Sequence, residues 1–236
     1  MKFAVDLHLH TALSPCGDAD MTPNNIVNMA LLKGLDMIAI TDHNSCANVE
    51  AVVDAGRNQG LMVIPGIEVQ SKEEVHLICL FKKLEKALAF GGLIYDSLPN
   101  IPNNEELFGR QLIMDASDHI TGQVEKLLLS SSSYSINEIF ELVNKHEGIC
   151  IPAHVDRPGY SIISNLGFIP PDLKVDIVEL SKKASLESVF GKMPFLKSYK
   201  HVVSSDAHYL WDISEREYFV EMEYISASQL FEALQR

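Results

Sequence analysis

The chain has 236 residues, 47% hydrophobic and 22% charged, a composition that supplies a sizeable core and suits one large α/β domain. Its formal net charge of −13 disfavours a long basic track for nucleic acid and an anionic membrane surface as partner, except where divalent ions in a cleft reverse the sign locally. No window approaches the ~20 uninterrupted apolar residues of a membrane span. MKFAVDLHLH lacks the apolar run of a signal peptide, and Cys16, Cys46, Cys79 and Cys150 show no CxxC spacing, so the chain reads as soluble and cytoplasmic with reduced thiols.

The first apolar run, FAVDL, leads directly into DLHLHT. In an extended chain residues i and i+2 share a face, so His8 and His10 project side by side, as a metal chelate would require. The loop SPCGDAD follows, with Cys16, Asp18 and Asp20. Thr22 and Pro23 then open a helix over NNIVNMALLKG, which Gly34 stops. The second strand-like run, DMIAITD, delivers Asp42 and His43 at its end. NVEAVVDAGRNQG predicts a second helix, and LMVIPGIEV a third strand with Glu68 near its end. VHLICLF reads as a fourth strand, but His76 stands at its start, so that strand is either short or runs against its neighbours.

Residues 82–134 break this rhythm and read as an insertion or lid, longer than an ordinary connection. They hold a helix-like KKLEKALAFGGL, a turn-rich SLPNIPNNEEL, a further helix-like QLIMDASDHITGQVEKLLL and a run of serines. Arg110 in this segment is placed to close over a substrate. Ser135 and Glu138 form a capping box at the head of SINEIFELVNKHEG. The strand GICIPAH then ends in His154, with Arg157 three residues on. VDIVELS is followed by Lys182 and Lys183, and HVVSSDAH ends in Asp206 and His208. His119, His146 and His201 fall in helix-like or strand-start contexts and read as structural or solvated.

Strands alternating with helices imply an α/β fold with a mostly parallel sheet, in one domain over 1–236. The C-terminal ends of parallel strands converge on one face, where such folds place their sites. Imidazoles and carboxylates gathered there suit Zn²⁺, Mn²⁺ or Fe²⁺ and exceed what one ion needs. Glu68 is able to bridge two ions, and Asp6 and Asp42 are read as orienting ligand imidazoles from behind.

The motifs DLHLHT, TDHN, GIEV, PAHVDRP and SSDAH, in this order, resemble those of the PHP (polymerase and histidinol phosphatase) family of metal-dependent phosphoesterases. The resemblance implies a distorted seven-stranded β/α barrel, TIM-barrel-like, with a trinuclear metal site. Carried over by position, it places His8, His10, Glu68 and Asp206 on one ion. Glu68 bridges to a second held by His76 and His154, and His43 with His208 holds a third. Relatives often supply a His or Asp to the third ion from the loop after HxH, where this chain has Cys16, with Asp18 and Asp20 as substitutes.

The implied activity is hydrolysis of a phosphate ester, on a small phosphomonoester or nucleotide, by a hydroxide bridging two of two to three divalent ions. Glu68, Asp206 and His208 are then the catalytic candidates. Arg157, Lys182, Lys183 and Arg110 are candidates for gripping the phosphate, Arg157 through a bidentate fork. Two other readings stand beside this one. A non-catalytic metal-binding module is disfavoured by the nearly complete ligand set, and a C–N bond hydrolase by the absence of a bridging lysine at a strand end.

Overall fold

The computed structural model describes residues 1–182 and 185–235, so Lys183 lies outside the described residues. Its strands are β1 (Lys2–Leu9), β2 (Met37–Ile40), β3 (Met62–Gln70), β4 (His76–Leu80), β5 (Leu112–Met114), β6 (Ile120–Gln123), β7 (Ile149–Pro152), β8 (Ile177–Ser181), β9 (Lys200–Ser204) and β10 (Phe219–Glu221). The helices are α1 (Pro23–Leu32), α2 (Val49–Gln59), α3 (Leu84–Ser97), α4 (Glu105–Phe108), α5 (Ile136–Lys145), α6 (Ile162–Leu166), α7 (Leu186–Lys192) and α8 (Ala227–Gln235). Local chemistry sets their ends. The Thr22 hydroxyl caps α1 with Pro23 in its first turn, Gly60 closes α2 in a left-handed conformation, and Ser135 and Glu138 cap α5 reciprocally.

Every apolar run read from the sequence forms a strand, but they do not make one seven-stranded sheet. The main sheet has six strands in the order β10-β1-β2-β3-β4-β7, while β8 and β9 form a separate parallel pair. The sheet curls so that β8 comes beside β7 at one edge and the end of β9 beside the end of β1. Single backbone bonds join them near the strand termini, Val155 N–H to the Glu179 carbonyl and His10 N–H to the Ala207 carbonyl. The result is a half-barrel gathered at the end where the histidines emerge. Nor is the sheet mostly parallel. β1, β2 and β3 run together, but β4 is antiparallel to both β3 and β7. That reversal explains His76: the start of β4 lies at the same end of the sheet as the finish of β3.

Two apolar clusters hold the fold. One lies between the sheet and the helices and includes Ile26, Val52, Phe90 and Ile139. The other is lined by Val5, Leu7, Met37, Ile64, Ile78 and Ile151, and Leu230, Phe231 and Leu234 of α8 pack into it. β1 changes face between them. Its pairing with β2 shifts register between Asp6 and Leu9, so Val5 and Leu7 belong to the second cluster and Leu9 to the first. The bulge puts His8 and His10 on the opposite face from Asp6. Asp6 therefore does not orient an imidazole. Its two oxygens accept the backbone N–H groups of Ser205 and Ser214, both at 2.9 Å, and so fasten the segment that carries Asp206 and His208.

The segment 82–134 is only partly helical. The stretch QLIMDASDHITGQVEKLLL forms the β5–β6 hairpin instead of a helix, because Asp115 accepts from the Ser117 and His119 N–H groups and Asp118 takes a positive φ of 66°, reversing the chain. It buttresses the loop after β1. The Asn48 amide bridges the Leu112 carbonyl and the Met114 N–H, and Leu112 and Met114 pack on Ala12. At Gly109, with φ of 87°, a Cβ would come within 2.4 Å of the Pro15 carbonyl oxygen, so only glycine lets this segment lie this close to the Cys16 loop. Arg110 is exposed and reaches Glu105 at 3.7 Å. Among the described residues no helix is long and apolar enough to cross a membrane.

Candidate metal centre

Six imidazoles converge at the gathered end of the sheet: His8 and His10 from β1, His43 after β2, His76 at the start of β4, His154 after β7 and His208 after β9. At their centre is Glu68 of β3, 1% exposed. Its Oε1 stands 2.9 Å from His76 Nδ1 and 3.4 Å from both His8 Nε2 and His154 Nε2. Oε2 stands 2.8 Å from His43 Nδ1 and 3.5 Å from His10 Nε2. Despite these approaches neither oxygen has a hydrogen-bond partner, and neither do Asp206 Oδ1 and His154 Nδ1. Buried polar atoms are ordinarily paired, so such a cluster of orphans marks a place for something else.

The outer hydrogen bonds say what. His8 Nδ1 lies 3.0 and 3.1 Å from the two oxygens of Glu179, which only a protonated Nδ1 satisfies. Ser14 gives its hydroxyl proton to Asp42 at 2.7 Å, so it accepts from His10 Nδ1 at 2.9 Å. Both rings have thus committed their Nδ1 protons, yet their Nε2 atoms face each other 3.1 Å apart, with Asp206 Oδ1 at 3.2 and 3.0 Å. His76 follows the same logic. Gln70 Nε2 donates to Ser131 Oγ at 2.8 Å, which turns its Oε1 to His76 Nε2 at 3.2 Å and leaves Nδ1 bare toward Glu68. Imidazole lone pairs opposed to one another and to carboxylates need a cation between them. This donor set fits divalent metal ions.

Three overlapping groups have their donor atoms within 4.8 Å of one another: His8, His10, Glu68 and Asp206; His43, Glu68 and His76; and His10, His43 and His208. His154 joins through its contact with Glu68. Without ions, protons do the neutralising. Burial opposes charge on His8, but Glu179, Asp206 and Glu68 outweigh it and raise its pKa well above the ordinary value. Burial would favour a neutral Glu68, yet His76, His8 and His43 hold its carboxyl well below the usual range. His10 moves the other way, pulled well down by burial and by the neighbouring His208 and His43.

Two backbones at the site are strained, His154 with φ of 33° and Asp206 with φ of 52°. The Glu179 carboxylate and a pair with Arg157 respectively hold these residues.

Cys16 is exposed at the rim, close enough to His208 and His43 to feel both imidazoles. Burial raises its pKa, but those two imidazoles more than offset this and bring it down to about 6. Asp18 instead caps its own turn, accepting from Asp20 N–H at 2.9 Å.

Arg157 donates to Asp206 Oδ2 at 2.5 Å. Asp156 does not compete for it, since its carboxylate accepts from the Ser181 backbone at 2.7 Å and from the Ser181 hydroxyl. Lys182 Nζ is tied to the Asp212 carbonyl at 2.7 Å but borders the same cleft. Two arms of that cleft meet at Arg157, Asp206 and His208. One, of 340 Å³, lies over Glu68, His76 and His154 under Tyr160, and the other, of 440 Å³, runs past Lys182 to Tyr209. Arg110 lines neither. Sequence reading missed Glu179, Ser14 and Gln70. Glu179 at the end of β8 carried a usable signal, an acid inside an apolar strand at the face where the ligands gather.

A family model described as PHP domain matches residues 6–161. The 3',5'-nucleoside bisphosphate phosphatase of Chromobacterium violaceum is 29% identical over 91 residues, covering 37% of this chain and 31% of that protein. The chain spans between 21% and 54% of the length of the curated relatives it matches. Among solved structures, the lesion-specific endonuclease Q of Pyrococcus furiosus superposes with a TM-score of 0.73 at 20% identity, over 100% of this chain and 56% of that one. An endonuclease Q complex with a 27-mer duplex bearing an abasic lesion at the active site gives 0.75, also at 20% identity, over 100% of this chain and 57% of that one. A putative metal-dependent phosphoesterase from Bifidobacterium adolescentis gives 0.62 at 18% identity, over 98% and 95% of the two chains.

Proposed function

We propose that this chain, which belongs to the PHP domain family, hydrolyses phosphate esters using two to three divalent transition-metal ions. The observation that carries this reading is the Glu68 carboxylate, buried, without a hydrogen bond and ringed by imidazoles. His8, His10, Glu68 and Asp206 would hold one ion and Glu68, His76 and His154 a second. His43 and His208 would hold a third beside His10, with Cys16 at the rim as a further donor and Asp18 occupied in its turn. Zn²⁺, Mn²⁺ and Fe²⁺ all suit such nitrogen and oxygen donors. Bound ions would supply Lewis-acid stabilisation of a phosphoryl oxygen and a water nucleophile at neutral pH.

The chain's own groups do the rest. Glu179, Ser14 and Gln70 fix which ring nitrogens are bare. Glu68, Asp206 and His208 border both the cluster and the cleft, and hold the catalytic positions. Arg157 is charged and 37% exposed in its side chain, so it is free to offer a guanidinium N–H to a phosphate oxygen while it keeps Asp206. Lys182 stands farther along the same wall.

The substrate class is a small phosphomonoester or nucleotide. The acidic balance of the chain does not exclude nucleic acid, because the endonuclease Q structure of the same fold carries a DNA duplex. A phosphodiester at a nucleic-acid end or lesion is therefore the second reading. Elemental analysis of protein purified without chelators, followed by a screen of phosphomonoesters, phosphodiesters, nucleic-acid ends and amides, tests both. At least two ions per chain and turnover of a phosphate ester are expected. Fewer than one ion after reloading with Mn²⁺, Fe²⁺ or Zn²⁺, or turnover of amides alone, would overturn the proposal.

A further inference from the structure

The arm of the cleft that leaves the metal centre ends on an aromatic pair. Tyr209 lines it, and Trp211 stacks on Tyr209 with ring centroids 4.8 Å apart and an interplanar angle of 18°. Trp211 is 68% exposed and Tyr209 38%, so an indole that adds little to the core is held in solvent beside the cleft. The turn beneath it is clamped on both sides. Lys33 Nζ donates to the carbonyls of Trp211 and Ile213 at 2.9 and 2.6 Å, and Lys182 Nζ to that of Asp212 at 2.7 Å. A rigid turn presenting stacked rings loses little entropy when a third ring joins them. The arm's volume of 440 Å³ lies in the range of small-ligand sites.

Resting on the phosphoesterase reading, we propose that Tyr209 and Trp211 form a stacking subsite for the planar base of a nucleotide whose phosphate reaches Arg157 and the metal centre. Every nucleobase has a π-face, so the platform selects base-bearing esters over sugar or alkyl phosphates without choosing among bases. Trp211 backs Tyr209 on one face, leaving the other for the ligand. Arg157 and Lys182 line the same arm as Tyr209, so they are available to a phosphate whose base stacks there. The base can belong to a free nucleotide or to a nucleic-acid terminus.

Trp211 is the single tryptophan of the chain, so fluorescence excited beyond the tyrosine absorption band reports on this subsite. The full chain is titrated with AMP, with ribose 5-phosphate and with a 5'-phosphorylated single-stranded oligonucleotide, with free N-acetyltryptophanamide as the absorption control. Saturable quenching by AMP and not by ribose 5-phosphate is expected. Quenching by the oligonucleotide at concentrations tenfold or more below those of AMP would identify the nucleic-acid terminus as the source, and equal or weaker quenching the free nucleotide.

Kinetics supply the second readout. Tyr209→Ala should lower kcat/KM for AMP relative to ribose 5-phosphate by roughly five- to a hundredfold, and Tyr209→Phe should restore most of the ratio. Quenching without turnover of any phosphate ester would keep the base subsite and overturn the phosphoesterase reading. Turnover with no AMP quenching and an unchanged ratio would overturn the subsite, as would a ratio that moves with Tyr160→Ala instead.

Discussion

Glu179 accepts the Nδ1 proton of His8 through both carboxylate oxygens, at 3.0 and 3.1 Å, and Oε2 also takes the backbone N–H of His154 at 3.0 Å. One carboxylate at the end of β8 thereby sets the tautomer of one imidazole and the backbone of another, on two different strands. Neither would stay in place without it, because the φ of 33° at His154 is a conformation that histidine rarely adopts unaided.

Glu179→Gln should therefore weaken metal binding while leaving the fold intact. An amide NH₂ would confront one of the two N–H donors and release His8 to move its proton onto Nε2, where a metal must bind. Groups that orient metal ligands are worth about 10- to 100-fold in affinity. Competition against a chromogenic chelator measures the change, and one below about threefold would show that Glu179 does not control the tautomer.

Glu68→Gln addresses the centre itself. In the metal-free protein the carboxylate offsets charge on His8 and His43, so the metal-free variant should unfold at a lower temperature than wild type, and the rise in Tm on adding Mn²⁺ or Zn²⁺ should shrink as well. Turnover should fall by roughly a thousandfold or more, the scale of several kcal/mol of barrier. Near wild-type turnover in a metal-replete variant would contradict a bridging role.

Much of this architecture was legible in the sequence. Short apolar runs bounded by Gly, Pro and Asp report burial directly, so the strands and the ligand residues at their ends could be read in order. Strand direction could not, because an isolated run such as VHLICLF carries no sign of polarity, and only pairing with β3 and β7 shows why His76 starts it. The bulge in β1 is equally silent, and it turns Asp6 away from the imidazoles that the sequence reading has it orient. QLIMDASDHITGQVEKLLL has enough apolar residues for a helix, but the turn chemistry of Asp115 and Asp118 overrode that pattern. Glu179 acts on His8 across 171 residues, and Ser14 and Gln70 act on His10 and His76 across turns whose geometry a linear reading does not give.

Cys16 gives a pH-dependent prediction. The His208 and His43 imidazoles lower its pKa to about 6, against ~8.5 for a free thiol, so the thiolate dominates once pH rises through 6. In metal-free protein, alkylation of Cys16 by iodoacetamide should accelerate with pH along a curve whose midpoint is near 6, followed by peptide mass spectrometry. Loaded with Zn²⁺, the same thiol should be protected if it completes the third ion's ligands. A midpoint near that of a free thiol, together with equal rates in both forms, would return Cys16 to the surface.

Arg157 stands where the two arms of the cleft meet beside the histidine cluster, and its pairing makes the prediction sharper than charge alone would. Burial works against its charge, but Asp206, with Glu179 and Glu68 behind it, more than offsets this and raises its pKa further. Asp206 in turn sits beside His8 and His10, so Arg157 acts either on a phosphate oxygen or only through Asp206. Charge-assisted hydrogen bonds are worth roughly 1.5 to 3 kcal/mol, so Arg157→Ala should lower kcat/KM by about tenfold to a hundredfold. Arg157→Lys keeps the charge but loses the planar fork, and should recover only part of this. If the guanidinium grips phosphate, competitive inhibition by inorganic phosphate should weaken in both variants while metal content stays constant. If it acts only through Asp206, metal content should fall and the inhibition constant of the remaining metal-loaded protein should not move. A loss below about threefold with metal content confirmed would leave Lys182, the other described cation of this wall, as the phosphate contact.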